Sequence, residues 1–286
     1  MTPMPAHTSP LVALLAVVLS LGAACSTARH DLVVTYIANE GFLIRSGAAK
    51  VMVDGLFHDD KITFCDVPSE EQLGRIERGL TPFDHIDVVL VTHGHVDHFN
   101  ASSVVRFLKN HRKCMLLCPS QVRTELQQAP ADYAAVQAQV LVPLGESEVA
   151  HDVTVGHIAI RALRLRHGPY MVKDENGQEY DQHAGVENVG YVVDLSGRRV
   201  LHLGDALLYQ NQEIVKAVET PIDVAFLEGF DISAATLEVM STDVKPEHVV
   251  YMHLPTQNRQ KMIAAIKMRN PAGVIPAKPL EELSFH

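Results

Sequence analysis

A chain of 286 residues with 47% hydrophobic and 20% charged content has the composition of a folded globular protein, and at roughly 150 residues per domain it makes one large domain or two small ones. Its 24 Lys and Arg against 34 Asp and Glu give a formal charge of −10, which argues against a nucleic-acid scaffold, because a surface that follows phosphates needs a net positive footprint. The 16 histidines are the feature to explain, since imidazole is both a common metal ligand and the side chain that titrates near neutrality.

Residues 11–24, LVALLAVVLSLGAA, form an uninterrupted apolar run of signal-peptide length, shorter than the ~20 residues of a membrane span. Residues 1–28 therefore read as a targeting segment. Ala23-Ala24-Cys25-Ser26 resembles a bacterial lipobox in which Cys25 would carry the lipid, although Gly22 stands where a larger aliphatic residue is usual. Cleavage after Ala28 by an ordinary signal peptidase is the alternative. The expectation is export to the periplasm or cell envelope, with the membrane contacted only through a lipid anchor, and one domain over 29–286.

Short apolar, β-branched runs then recur: Leu32–Ile37, Phe42–Ile44, Val51–Val53, Val88–Val91, Met115–Leu117, Ile158–Leu165, Val189–Val193, Val200–Leu203, Val224–Leu227 and Val249–Met252. Helical patterns fall at Glu70–Arg78, Ala101–Lys109, Gln121–Gln128, Gln210–Val218 and Gln257–Arg269, the last opening at Thr256 as its N-cap. Strands first, then strands mixed with helices, in both halves, predict a layered α/β domain. The stretch between Arg166 and Gly190 is polar and long for a connection, and such loops tend to be functional or mobile. Cys114 and Cys118, four apart on a strand, would stand about 13 Å from each other, beyond disulfide reach. With Cys65 they read as buried free thiols.

Residues 88–100, VVLVTHGHVDHFN, end a buried strand in His93, His95, Asp97 and His98. On an extended segment residues two apart share a side, so His93 and His95 suit one ion; after the turn Asp97 and His98 face a second position. A cluster of this kind at the end of a dry strand would be costly to desolvate without an ion. Other candidate ligands also close apolar strands: Asp54 after Val51–Val53, His167 after Ile158–Leu165, Asp205 after Val200–Leu203, and His253 after Val249–Met252. That edge is where α/β sheets place their sites. His151 and His157 compete with His167, but neither ends a strand followed by Gly. His202 alternates with Leu201 and Leu203 and reads as a packed residue.

These motifs resemble the metallo-β-lactamase-fold hydrolases. THGHVDH at 92–98 is similar to the family's H-x-H-x-D-H motif, RHG at 166–168 to its third histidine, LGD at 203–205 to its metal-bridging aspartate, and MH at 252–253 to its last histidine. YIANEGFLIRSGAAKVMVDGLF at 36–57 resembles the first hairpin, with Asp54 at its aspartate. The resemblance implies a four-layer αββα sandwich holding two divalent ions, with zinc expected and manganese or iron compatible with the donors. His93, His95 and His167 would take one ion and Asp97, His98 and His253 the other, with Asp205 bridging both.

A hydroxide held between the ions would attack an ester, lactone or phosphodiester, with Asp97 orienting it or passing a proton to the leaving group. Asp54 would accept an N–H from a ligand histidine. Within the family the chain looks like the branch containing L-ascorbate-6-phosphate lactonase and N-acyl-phosphatidylethanolamine phospholipase D, so the expected partner is a small-molecule or lipid-like substrate. A β-lactamase is the alternative, disfavoured because the resemblance gives penicillin-hydrolysing members Cys or Ser in place of Asp205. A non-catalytic metal-binding lipoprotein of the same fold is another. His183 and Tyr170 in the polar stretch are candidates to meet substrate, while Glu228, Tyr180 and Asn188 receive no role.

Overall fold

The computed structural model describes residues 29–129, 132–218 and 221–286. The first sheet opens with an antiparallel meander, β1 (Leu32–Ala38), β2 (Gly41–Ser46) and β3 (Ala49–Val53). It continues in parallel through β4 (Val88–Leu90), β5 (Met115–Leu117) and β6 (Val140–Leu141). The second sheet repeats that plan. Its strands β7 (Ala150–Val155), β8 (Ile158–Arg166), β11 (Glu187–Leu195) and β12 (Arg198–His202) pair antiparallel, and β13 (Ile222–Glu228) and β14 (Pro246–Met252) extend it in parallel. A separate hairpin, β9 (Met171–Lys173) and β10 (Glu179–Asp181), stands between β8 and β11. The last strand, β15 (Glu282–Phe285), returns to the first sheet beside β1.

Period-two alternation sorts the side chains of these strands into separate cores. Phe42, Ile44, Val51, Val53, Val88 and Leu90 face the gap between the sheets, where they meet Tyr191, Val193, Val224 and Phe226. Leu43, Met52, Val89 and Val91 face the other way and pack against Val104, Val105, Phe107 and Leu108. Those last four belong to α2 (Ala101–Asn110), which lies on the outer face with α1 (Glu70–Glu77) and α3 (Ser120–Gln128). On the second sheet Leu201, Ala225 and Leu227 pack outward with Val215, Val239 and Ile266. These come from α4 (Gln212–Val215), α5 (Ala234–Val239) and α6 (Arg259–Arg269). Three cores separating four layers make the αββα sandwich. Strands buried on both faces explain why they read as continuous apolar runs.

Several elements differ from the expectation, each for a local reason. The helix expected over Gln210–Val218 is a 3-10 turn at Leu208–Asn211 followed by α4. Buried Asn211 spends its side chain elsewhere, accepting from Arg166 N at 2.7 Å and donating to Arg166 O at 3.0 Å. Helix α6 begins after Asn258 rather than at Thr256, because the Thr256 hydroxyl donates to Thr63 O at 2.7 Å and its N–H to Phe64 O at 2.9 Å. The polar stretch 166–190 contains the β9–β10 hairpin, whose turn is held by Asp174 Oδ1 accepting from Asn176 N at 2.9 Å and Gln178 N at 2.8 Å. Cys65, Cys114 and Cys118 are buried and free. The expected targeting segment and Cys25 lie outside the described residues. Among the described residues no helix is long and apolar enough to cross a membrane.

Candidate metal centre

Every expected ligand lies just beyond the C-terminal end of a strand. Asp54 follows β3, the His93–His98 segment follows β4, His167 follows β8, Asp205 follows β12 and His253 follows β14. The 93–98 loop is fixed downstream by Asn100, the N-cap of α2, whose Oδ1 accepts from Ser103 N at 3.0 Å. Asn100 N in turn donates to Leu56 O at 2.9 Å. Two bonds tie the sheets together here: Val189 N donates to Thr92 O and Tyr191 Oη to Val91 O, both at 2.9 Å. Gly204, at φ +57°, brings the chain so close that a Cβ there would stand 2.4 Å from Asn188 Oδ1 and 2.8 Å from Thr92 Cβ.

Donor atoms of His93, His95, His167 and Asp205 lie within 4.8 Å of one another, and those of Asp97, His98 and His253 form a second such group. Asp205 faces both, with Oδ2 3.4 Å from His167 Nε2 and Oδ1 3.2 Å from His98 Nε2. The chain thus brings together all seven residues singled out in the sequence, in the two expected sets.

The outer hydrogen bonds settle which imidazole nitrogens point inward. His167 Nδ1 is 2.8 Å from Gly168 O, which only accepts, so Nδ1 carries the proton and the Nε2 lone pair faces Asp205. Thr92 Oγ1 donates to Asp54 Oδ2 at 2.6 Å, leaving its oxygen to accept from His93 Nδ1 at 3.0 Å. His98 Nδ1 gives its proton to Asp54 Oδ2 at 3.1 Å. Lone pairs of three buried imidazoles and two carboxylate oxygens therefore converge, and His167 Nε2 and Asp205 Oδ1 are buried without a hydrogen-bond partner. Buried acceptors left without a partner fit a cation. Neutral imidazoles and carboxylates are the donors that divalent zinc, manganese or iron take.

In the metal-free chain protons do part of that work. Burial disfavours charge on His98, yet the Asp205 and Asp97 carboxylates outweigh it and raise the ring well above its ordinary range. His253 is raised to about 9 against its own burial, by the Asp205 charge and the Asp97 hydrogen bond. Burial and the neighbouring His98 hold His93 well below the usual range, and burial brings His95 down to about 4. Burial alone would raise the carboxyls of Asp97 and Asp205, but the surrounding imidazoles hold both below the usual range.

His183 and Tyr170 reach the rim. The His183 ring lies 4.3 Å from that of His167 and 4.8 Å from that of His95, and Tyr170 packs on His183 at 5.4 Å. His151 is exposed on β7, 3.3 Å from Glu148, and takes no part. His202 is fully buried, with Nε2 3.1 Å from Glu40 O, as a packed residue should be. Asn188 is structural, donating to Leu203 O at 2.9 Å. Sequence reasoning missed Thr92, Asn39 and Glu40. Asn39 Nδ2 donates to Asp97 Oδ2 at 3.0 Å from a backbone at φ 49°. Thr92 was signalled by its place as the polar residue ending a dry strand; Asn39 and Glu40 were hidden in a turn.

The model of the β-lactamase superfamily domain matches residues 67–276. The chain belongs to this superfamily. It is an enzyme of the metallo-β-lactamase fold, as the motifs implied. A UPF0173 metal-dependent hydrolase of Polaromonas sp. is 26% identical over 266 residues, covering 88% of this chain and 89% of its own. Another from Pyrococcus furiosus is 22% identical over 238 residues, covering 78% and 84%. Among solved structures, the metallo hydrolase Igni18 of Ignicoccus hospitalis has a TM-score of 0.56 at 18% identity, covering 90% of this chain and 99% of its own. The fold is shared as well with an isothiocyanate hydrolase from Delia radicum gut bacteria, TM-score 0.58 at 14% identity, covering 88% and 99%.

Proposed function

We propose that this enzyme is a hydrolase that works with two divalent ions, zinc foremost, and cleaves an ester, lactone or phosphodiester of a small or lipid-like molecule. The observation that carries the reading is Asp205, which stands between the two donor groups, with Oδ2 3.4 Å from His167 Nε2 and 3.7 Å from His253 Nε2 and Oδ1 3.2 Å from His98 Nε2. A bound ion pair would supply an activated water as nucleophile and Lewis acidity for the carbonyl or phosphoryl oxygen.

The chain's own contribution is orientation. Asp97 is held by Asn39 Nδ2 at 3.0 Å and lies 3.3 Å from His253 Nε2, and it orients the attacking water or hands a proton to the leaving group. Asp54 and Thr92 fix the tautomers of His98 and His93. His183 and Tyr170, above His95 and His167, form one wall of the substrate site. Export, with Cys25 as a lipid anchor, belongs to the same proposal and would bring an envelope substrate within reach.

The test is turnover of a panel of lactones, esters and phosphodiesters by the metal-loaded enzyme and by His95→Ala. The proposal expects activity and metal to be lost together. A variant that loses its metal yet turns over substrate at the wild-type rate would overturn it, and hydrolysis confined to β-lactams would replace its substrate class.

A further inference from the structure

Glu40 occupies the turn between β1 and β2, beneath the centre, and is fully buried. Neither of its carboxylate oxygens has a hydrogen-bond partner. The carboxylates of Asp205, Glu228 and Asp54 each make another buried negative charge there harder to hold.

Two imidazoles adjoin this carboxylate, and the protons of both are committed elsewhere. His98 Nδ1 lies 3.9 Å from Glu40 Oε2 but only 3.1 Å from Asp54 Oδ2, which takes its proton. His202 donates from Nε2 to the backbone oxygen of Glu40 at 3.1 Å, and its Nδ1 accepts from Gly204 N at 3.2 Å. What remains within reach is the metal centre itself. Donor atoms of Glu40, His98 and Asp205 lie within 4.8 Å of one another, and His98 and Asp205 are both shared with the ion positions described above.

We propose that Glu40 is a further carboxylate ligand of an ion held by His98 and Asp205, and that it narrows the preference of that position for zinc over manganese or ferrous iron. The inference rests on the metal reading given under Proposed function. With Asp205, a second carboxylate beside the one imidazole of His98 gives a position with more oxygen than nitrogen donors. Zinc favours four ligands rich in nitrogen or sulfur, whereas manganese and ferrous iron take higher coordination and carboxylate oxygen readily. Zinc still binds a given site more tightly than manganese in the general order of divalent affinities, so the effect of Glu40 lies in the ratio of the two affinities.

The experiment measures manganese affinity by electron paramagnetic resonance titration and zinc affinity by competition with a chromophoric chelator, in wild type, Glu40→Gln and Glu40→Asp. Circular dichroism checks that each is folded. The expected result is manganese binding weakened by about tenfold or more in Glu40→Gln, with a smaller loss for zinc. Glu40→Asp keeps the charge but shortens the reach, so it should fall between the two and serves alone if the glutamine variant fails to fold. Manganese affinity equal to wild type in the folded variants would overturn the proposal, as would equal losses for the two metals. A wild-type chain that binds neither metal would overturn the metal reading beneath it, which sets that failure apart from failure of the role given to Glu40.

Discussion

Oδ2 of Asp54 lies 3.1 Å from Nδ1 of His98, and the same oxygen accepts the Thr92 hydroxyl at 2.6 Å. One buried carboxylate therefore sets the tautomer of His98 directly and that of His93 through Thr92, while its other oxygen accepts from Thr92 N at 2.9 Å. In Asp54→Asn one of these acceptors becomes an amide donor aimed at a donor. We expect metal affinity to fall by about 10- to 100-fold, read by chelator competition, with the fold retained. An unchanged affinity would show that Asp54 supports the strand alone.

Metal loading should depend on pH with a definite sign. His253 is raised to about 9 in the metal-free chain, so at neutral pH it holds a proton that an ion must displace. Apparent affinity should rise with pH, by about tenfold per unit for the proton on His253 up to about 9, and further for the proton that His98 also holds. The same shift acts oppositely on stability without metal. A raised value stabilises the fold fully below the unfolded histidine value of about 6.5, and the contribution is lost as pH rises through about 9. Melting of the chelator-treated chain should thus fall with rising pH in that window, while melting of the metal-loaded chain should not follow it.

Gly204→Ala should be destabilising out of proportion to its one added carbon. A Cβ would stand 2.4 Å from Asn188 Oδ1 and 2.8 Å from Thr92 Cβ, at a φ of +57° that an L-residue adopts only with strain. Overpacking of this kind costs about 1–3 kcal/mol. For a domain of this size each kilocalorie lowers the melting temperature by roughly 2–4 °C, so calorimetry reads the effect directly.

The thiols of Cys65, Cys114 and Cys118 should resist labelling in the native chain. Burial pushes each of them up to about 12, so almost no thiolate is present at about pH 8. Peptide mapping after treatment with a thiol reagent should find these positions unmodified until denaturant is added. Modification of Cys65 under native conditions would mean that its packing against Ala38, Phe57 and Ile62 opens.

What the sequence displayed of this fold was its interior. Val51–Val53, Val88–Val91 and Val224–Leu227 lie between packed faces, so their apolar runs are unbroken and their ends mark the site. Two of the edge strands were silent. AHDVTV of β7 is exposed along most of its length, and β15 carries Glu282 and Ser284 as partners for β1, so neither shows an apolar pattern. The β9–β10 hairpin did leave a sign, Asn176-Gly177 at its turn, with Gly177 at φ 79°, though the polar strands around it masked the signal. The seven clustered residues were legible because each lies in a segment that follows an apolar strand, whereas Asn39 and Glu40 approach the centre from a turn whose only signal is its tight backbone.

The partition of donors between the two sheets has a consequence for biogenesis. His93, His95, Asp97 and His98 follow a strand of the first sheet, while His167, Asp205 and His253 follow strands of the second. A nascent chain that has completed only its amino-terminal half can offer an ion those four side chains and Glu40, but not Asp205. On the two-ion reading proposed above, tight acquisition of metal would await docking of the carboxy-terminal half, and an unfinished chain would lack hydrolytic activity.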